Sequence, residues 1–339
     1  MGLFSLTKEI AIDLGTANTI IIHNDKIVID EPSIVALEKR TGKLIAVGRE
    51  AKLMQGKEND GIETIRPLRK GVIANFNAAE MMIRGLIKKA SSKSNWFSPS
   101  MKMVVGIPSG STEVEIRAVR DSSEHAGGRD VYMIYEPMAA ALGSGIDVLA
   151  PHGNMIVDIG GGTTEIAVIS LGGIVSNKSI QVAGDDLTDD IMEHMGRVHN
   201  VKVGERTAEQ IKINVGSALT ELDNPPEDYI VHGPNKMTAL PMEVPVSYQE
   251  ISHCIEKSIS RIEAAVLQAL DETPPELYSD IVMNGIFLAG GGAMLRGLDK
   301  RLTDKIGIQF HIAEDPLLAV AKGTGVALKN IETFSFLIR

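Results

Sequence analysis

The chain has 339 residues, more than one ordinary domain holds, and its 44% hydrophobic and 23% charged residues with 33 glycines and 14 prolines suit a folded α/β protein and exclude disorder, collagen or a disulfide scaffold. A net charge of −10, from 34 basic and 44 acidic residues, argues against a global grip on phosphate backbones, so no nucleic-acid partner is expected. The lone Cys254 fits a reducing compartment, no stretch approaches the ~20 apolar residues of a membrane span, and Lys8 and Glu9 cut short any export signal, so a cytoplasmic chain is expected.

The apolar run Ile10–Ile12 enters Asp13-Leu-Gly-Thr-Ala-Asn18 and resumes as Thr19–Ile22, a strand, glycine turn and strand. Short strands follow at Ile34–Leu37 and Leu44–Val47. The pattern then alternates: helix at Ala78–Lys89, strand at Lys102–Ile107 ended by Pro108, helix at Thr112–Ala126, strand at Val131–Tyr135, and a helix opened by proline at Pro137–Leu142. Strand, glycine turn and strand return at Asn154–Ile169, through Asp158-Ile-Gly-Gly-Gly-Thr-Thr164. Helices are expected near Asp185–His199, Thr207–Leu219 and Tyr248–Leu270, and a strand at Ile286–Leu288 leads into Gly290-Gly-Gly292.

Asp13 and Gly15 recur as Asp158 and Gly160, 145 residues later at the same offset. Such a repeat predicts two similar domains, each offering a hairpin tip to a shared cleft. Glycine tips let backbone N–H groups approach an anion closely. An aspartate at the inner end of each tip can hold hydrated Mg²⁺ against phosphates, and Thr16, Thr163 and Thr164 add hydroxyls. Two structural hairpins are the alternative, and the matched pair argues against it. The cluster Gly290–Ala293 suits approach to a flat base or a further phosphate. Neither a G-x-x-x-x-G-K-[ST] loop nor a G-x-G-x-x-G after the first strand is present, which removes two common nucleotide-binding folds.

The order Asp-Leu-Gly-Thr, Asp-Ile-Gly-Gly-Gly-Thr-Thr, Gly-Gly-Gly resembles the two phosphate motifs and the adenosine motif of the actin, heat-shock chaperone and sugar kinase superfamily. Within it, Met1-Gly-Leu-Phe-Ser-Leu6, Ile12–Asn18, Arg66-Pro-Leu-Arg-Lys-Gly-Val-Ile73, Tyr135–Ala141 and Gly204–Lys212 are similar to the MreB family of bacterial actins, over essentially the whole chain. That resemblance implies an actin-like α/β ATPase fold: two duplicated, ribonuclease H-like domains about a nucleotide cleft. Domain I is expected at 1–145 plus 315–339, with a smaller subdomain at about 33–75; domain II is expected at 146–314, with one at about 181–251.

It implies ATP and Mg²⁺ as ligands, with Asp13 and Asp158 near the metal. Thr16, Ala17, Asn18, Gly160, Gly161 and Gly162 would surround the phosphates. Glu209, Gln210, Ile211 and Lys212 would meet ribose and adenine, and Gly290, Gly291, Gly292 and Ala293 the adenosine. Glu136, a glutamate in MreB proteins where eukaryotic actin has a glutamine, would orient the attacking water with Thr163 and Asp158. On spacing alone, Glu136 reads as a helix-start carboxylate and Glu209 with Lys212 as an exposed ion pair. The family further implies slow ATP hydrolysis, paired homopolymeric filaments on the inner face of the cytoplasmic membrane, and the cell-wall elongation partners RodZ and MreC. A chaperone would need a peptide-binding domain and a sugar kinase an acceptor pocket; these are the competing classes.

Residues 81–112 carry five basic and no acidic side chains: Arg84, Lys88, Lys89, Lys93 and Lys102. Within them Trp96 and Phe97 sit in a polar loop, and Leu3, Phe4 and Leu6 make a second apolar patch; both are expected to enter a lipid leaflet. His194 and His199, five apart, do not share a helix face and are expected to be solvated or packed rather than metal-binding. Cys254 is expected in the core.

Overall fold

The computed structural model describes residues 7–91 and 100–338. The chain opens with β1 (Thr7–Leu14), β2 (Asn18–His23) and β3 (Lys26–Pro32), then makes an excursion through β4 (Val35–Glu38), β5 (Leu44–Val47), α1 (Arg49–Met54), β6 (Ile62–Ile65) and a small hairpin, β7 (Leu68–Arg69) and β8 (Val72–Ile73). It returns by α2 (Phe76–Ser91), β9 (Ser100–Ile107), α3 (Glu113–His125), β10 (Gly128–Tyr135) and α4 (Glu136–Gly143). The second half starts again with β11 (Asn154–Ile159), β12 (Thr164–Ser170) and β13 (Gly173–Ile180). Its excursion comprises α5 (Gly184–Val198), α6 (Glu205–Val215), β14 (Tyr229–Pro234), β15 (Pro241–Val246), α7 (Tyr248–Cys254), α8 (Glu256–Asp271) and α9 (Pro275–Asn284). It closes with β16 (Ile286–Ala289), α10 (Leu298–Ile306), β17 (Phe310–Ile312) and α11 (Ala319–Lys329).

The strand orders are β3-β2-β1-β9-β10 and β13-β12-β11-β16-β17. In each sheet the first three strands are antiparallel and the last two join in parallel. The excursions fall between the third and fourth strands of both halves. Equal order, direction and insertion point are what the repeated aspartate-glycine hairpin predicted. The lone cysteine, Cys254, lies partly buried against the core of the second half.

Alternation of side chains along the strands of the two large sheets builds three of the four cores among the described residues; the fourth, Ile34, Ala36, Ala46 and Ala51, lies in the first excursion. Ile10, Ile12 and Ile21 point one way, onto α2 and α3, with Met82, Leu86 and Met103. Ala11, Ile20 and Ile22 point the other way, where they join Ile156, Ala167 and Ile169 of the second sheet around α4 and α11. The far face of the second sheet packs its Val157, Ile166 and Val168 on Leu187, Ile191, Ile259 and Ile262. Helices α4 and α11 thus lie between the sheets, and they cross where small residues permit. A Cβ placed on Gly143 would stand 1.8 Å from the Ala319 carbonyl oxygen, and one on Gly323 1.7 Å from that of Ala139. The chain end returns to the first sheet: Met133 N–H donates to Ile338 O at 2.7 Å and Ile338 N–H to Met133 O at 2.9 Å.

Most expected elements are present within a few residues. The helix expected to Leu219 stops at Val215, because Gly216 turns to an extended conformation (ψ 134). The helix expected over Tyr248–Leu270 bends at Ile255, between α7 and α8, while Ile251, Ile255, Ile259 and Ile262 keep one fully buried face across the bend. No helix among the described residues is long and apolar enough to cross a membrane.

Candidate functional site

The two hairpin tips meet. A Cβ on Gly161 would be 2.8 Å from Ala17 Cβ, and one on Gly162 2.8 Å from Thr16 Oγ1 and from the Lys70 backbone, so the second tip needs glycine to seat against the first. Ser33 ties the first tip to the strands behind it, donating from Oγ to Gly15 O at 2.6 Å. The second tip is closed by Gly160 N–H on Thr163 O at 2.9 Å and is gripped by the start of α5, where Asp185 N–H donates to Gly161 O at 2.7 Å.

Each aspartate sits near the end of the strand that feeds its tip. Asp158 is buried and its Oδ1 has no hydrogen-bond partner; Asp13 and Glu136 are half-buried. Glu136 opens α4 at the end of β10, next to the strand end Gly106, on which a Cβ would be 3.8 Å from Glu136 Cγ. Burial pushes the Asp13 carboxyl up to about 7. Burial, then the charges of Asp13 and Glu165, push Asp158 up to about 8. Glu136 is raised well above the ordinary range by burial and then by Glu165, Asp13 and Asp158. These are carboxylates crowded together without a neighbouring cation, a donor set of oxygens that a hard divalent ion would relieve.

The third glycine cluster lands beside Asp158 because β16 is the parallel neighbour of β11, pairing Asp158 with Ala289. A Cβ on Gly290 (φ +78) would lie 2.4 Å from Asp158 Oδ1, and one on Gly292 2.2 Å from Ile159 Cγ2. Gly291 faces Leu317, and Ala293 is buried in the core of the second half.

Lys212 reaches back from α6 to the root of the second tip, donating to Gly184 O at 2.7 Å and pairing with Glu209 Oε2 at 2.7 Å. Thr188 Oγ1 donates to the same Glu209 oxygen at 2.7 Å. Burial raises the Glu209 carboxyl, yet Lys212 and Thr188 outweigh it and hold it below its usual value. The pair is therefore built into the α5–α6 contact, not the exposed ion pair that spacing alone gives. Gln210 and Ile211 are not brought to the same place: Gln210 is exposed and Ile211 is wholly in the core, so Ile211 offers a ligand no side-chain surface.

Several residues here escaped the sequence reading. The β7–β8 turn, Lys70 and Gly71 with φ of +49 and +76, covers both tips, and Gly71 N–H donates to Thr16 Oγ1 at 3.2 Å. Arg66 bridges the two excursions, with Nη2 on Asp185 at 2.7 Å and Nη1 on Glu205 at 2.9 Å. Glu165, buried in β12, accepts from Ser109 N–H at 3.1 Å, from Ser109 Oγ, and from Ser179 Oγ at 2.7 Å. A charged residue directly ahead of the aliphatic run Ile166–Ile169 was its sequence signal. Leu3, Phe4, Leu6, Trp96 and Phe97 lie outside the described residues. Three of the five basic side chains of 81–112 face acids: Arg84 pairs with Glu80 one turn earlier in α2, Lys89 with Glu31 and Lys102 with Glu9. The positive excess of that segment is thus partly cancelled on the surface.

A bilobal fold with paired glycine hairpins is the geometry of actin-like proteins, and comparison decides which. The MreB/Mbl protein family matches residues 7–335. The chain belongs to the MreB/Mbl family. It is 42% identical over 326 residues to the cell shape-determining protein Mbl of Bacillus subtilis, covering 96% of this chain and 97% of that one. The crystal structure of MreB 5 of Spiroplasma citri bound to AMPPNP superposes with a TM-score of 0.90 at 36% identity, over 96% of this chain and 97% of that one; the same protein is also known bound to ADP. The MamK double helical filament, at 20% identity, a TM-score of 0.78 and coverage of 96% and 99%, shares the fold. As an MreB/Mbl protein, this is an actin-like cytoskeletal protein of cell shape.

Proposed function

We propose that this MreB/Mbl protein binds ATP with Mg²⁺ between two domains, hydrolyses it slowly, and assembles into membrane-bound filaments that direct cell-wall elongation. The observation that carries the reading is the meeting of two glycine tips over a cluster of buried carboxylates, with Asp158 Oδ1 buried and unpaired. Domain I comprises 1–145 and 315–339, with the excursion at about 33–75 as its subdomain. Domain II comprises 146–314, with its subdomain at about 181–251. The packing of α11 on β1, β2 and β9 supports the return of the chain end to domain I.

Asp13 and Asp158 would hold the metal ion, which when bound supplies charge neutralisation to the phosphates. Thr16, Ala17, Asn18 and Gly160–Gly162 cradle the phosphates with backbone N–H groups. Glu209 and Lys212 meet the ribose and adenine edge, and Gly290–Ala293 the adenosine. Glu136, with Thr163, orients the attacking water. Burial and the neighbouring carboxylates raise its pKa, which makes it a carboxyl whose charge responds to a cation brought beside it. Nucleotide held by both tips biases domain closure, and a closed subunit stacking head to tail gives an open polymer.

Membrane contact is assigned to Leu3, Phe4, Leu6, Trp96 and Phe97. Thr7 and Ser100 pair across β1 and β9, so the two segments join the sheet at adjacent strand ends although they lie far apart in sequence. Two weak anchors multiplied along a filament give avidity that one subunit lacks. RodZ and MreC are the expected elongation partners.

Sedimentation tests the reading: protein should pellet with ATP and Mg²⁺ in the absence of any acceptor, and more so with anionic vesicles. Trp96→Ser with Phe97→Ser should lose the vesicle-dependent part alone. Protein that stays in the supernatant and turns over only with a sugar would make it a kinase.

A further inference from the structure

On the side of α5 remote from the glycine tips, two imidazoles and a carboxylate converge. His194 lies just before the last turn of α5 and His199 is its C-cap residue. Five residues on a continuous helix would turn the rings well apart, but the helix ends first. Asn200 takes a left-handed conformation (φ +54), and Val201, fully buried, donates its N–H to Met195 O at 3.1 Å. His199, the C-cap residue, keeps near-helical angles (φ −96, ψ −7), and its ring stands beside that of His194, with centroids 5.9 Å apart and planes at 70°.

The carboxylate comes from α7. Ser247 caps that helix and Glu250 is its third residue, the spelling of a capping box. In α3 the same spelling closes both ways, Thr112 N–H donating to Glu115 Oε2 at 2.7 Å. In α7 only half the box forms: Glu250 N–H donates to Ser247 Oγ at 3.3 Å, while the carboxylate is aimed at the histidines. Glu250 Oε1 accepts from His194 Nε2 at 2.6 Å and also from His199 Nε2. The side chains are 13%, 22% and 23% exposed, shielded but within reach of a hydrated ion. Their backbones are fixed, since Ile191 and Met195 on α5 and Ile251 on α7 are fully buried.

We propose that His194, His199 and Glu250 bind one divalent transition-metal ion of the zinc class, which fastens the end of α5 to the start of α7. The three donor atoms already lie within 4.8 Å of one another. Ions with bonds of about 2.0–2.2 Å to imidazole nitrogen and carboxylate oxygen enter once the Glu250 oxygen moves outward and the two rings adjust around the ion. Two nitrogens and one oxygen select zinc-like ions over Mg²⁺ and Ca²⁺, which take oxygen ligands; the cleft, with oxygen donors only, has the opposite preference. Loading moves each ring proton from Nε2 to Nδ1, leaving the nitrogen lone pairs to the metal and the Nδ1–H groups to solvent. Coordination positions beyond these three remain for water.

Calorimetric titration of the full-length, chelator-stripped chain with ZnCl₂ tests this, with excess Mg²⁺ present so that the cleft does not compete. One ion per chain is expected, together with a rise in Tm. The visible absorption of the Co²⁺ form should report nitrogen and oxygen ligands. His194→Asn and Glu250→Gln should each weaken binding ~10-fold or more, and the His194→Asn/His199→Asn double variant should abolish it. Melting of each variant without metal establishes that it is folded. Wild-type protein that binds no ion, or binds it no tighter than a folded double variant, overturns the proposal.

Discussion

The two hairpins share strand order and aspartate position, yet their surroundings differ. The first carries one glycine, leaves Ala17 and Asn18 exposed, and keeps Asp13 half-buried. The second carries three, and Asp158 lies beneath them, flanked by a parallel strand that ends in a third glycine cluster. β12 is buried along its whole length, whereas β2 is exposed at its start. Duplication therefore preserved the scaffold while the chemistry separated: one tip is an open lip, the other a desolvated seat.

The sharpest way to break this asymmetry is at the aspartates. Asp158→Asn should reduce Mg²⁺-dependent phosphate release at least ~100-fold, about 2.7 kcal/mol of barrier, while Asp13→Asn keeps a measurable rate. Equal losses in a phosphate-release assay would mean that the burial difference does not matter. Next come the glycines. Gly162→Ala should weaken nucleotide binding by ~10-fold or more, because its methyl meets Lys70 backbone at 2.8 Å; Gly160→Ala, with only Thr163 O at 3.3 Å, should change affinity much less. Titration with a fluorescent nucleotide distinguishes the two, and equal affinities would contradict the seating of the second tip.

The smallest effect concerns pH. An unfolded aspartate titrates at about 3.9, whereas burial pushes Asp13 up to about 7 and Asp158 up to about 8 in the folded chain. Between those limits the folded protein holds protons that the unfolded chain has released, so these groups lower stability as pH rises. They leave it undiminished below roughly pH 4. The Tm of nucleotide-free protein should fall from pH 5 to pH 8, and Mg²⁺ with nucleotide should raise it more at pH 8 than at pH 6. Asp158→Asn should flatten that slope; an unchanged slope in thermal melts would remove Asp158 as its source.

The glycine tips were legible in the sequence because their chemistry is local: an aspartate, a turn and a hydroxyl within a few residues. Their cover was not, since Arg66, the Lys70–Gly71 turn and the Ser109–Glu165 contact join segments far apart in the chain. Strands β3 and β13 were missed for a different reason. Each is the edge strand of its sheet and is partly exposed along most of its length, so the short apolar runs Ile27–Ile29 and Ile174–Val175 are flanked by polar residues and stand out less than the run of β12. His194 and His199 failed the helix-face rule because the rule assumes a helix that continues, and this one ends between them. The helix at Thr207 was overextended because Gly216 was not given its stopping role.

The crossing of α4 and α11 sets a limit on how the halves can move. With the Gly143 and Gly323 positions pressed against main-chain oxygens, there is no room for the two helices to slide closer. Swivelling is the inexpensive motion that such a bearing leaves. Any change of gap at the tips is then magnified toward the outlying excursions, as a door's travel grows with distance from its hinge.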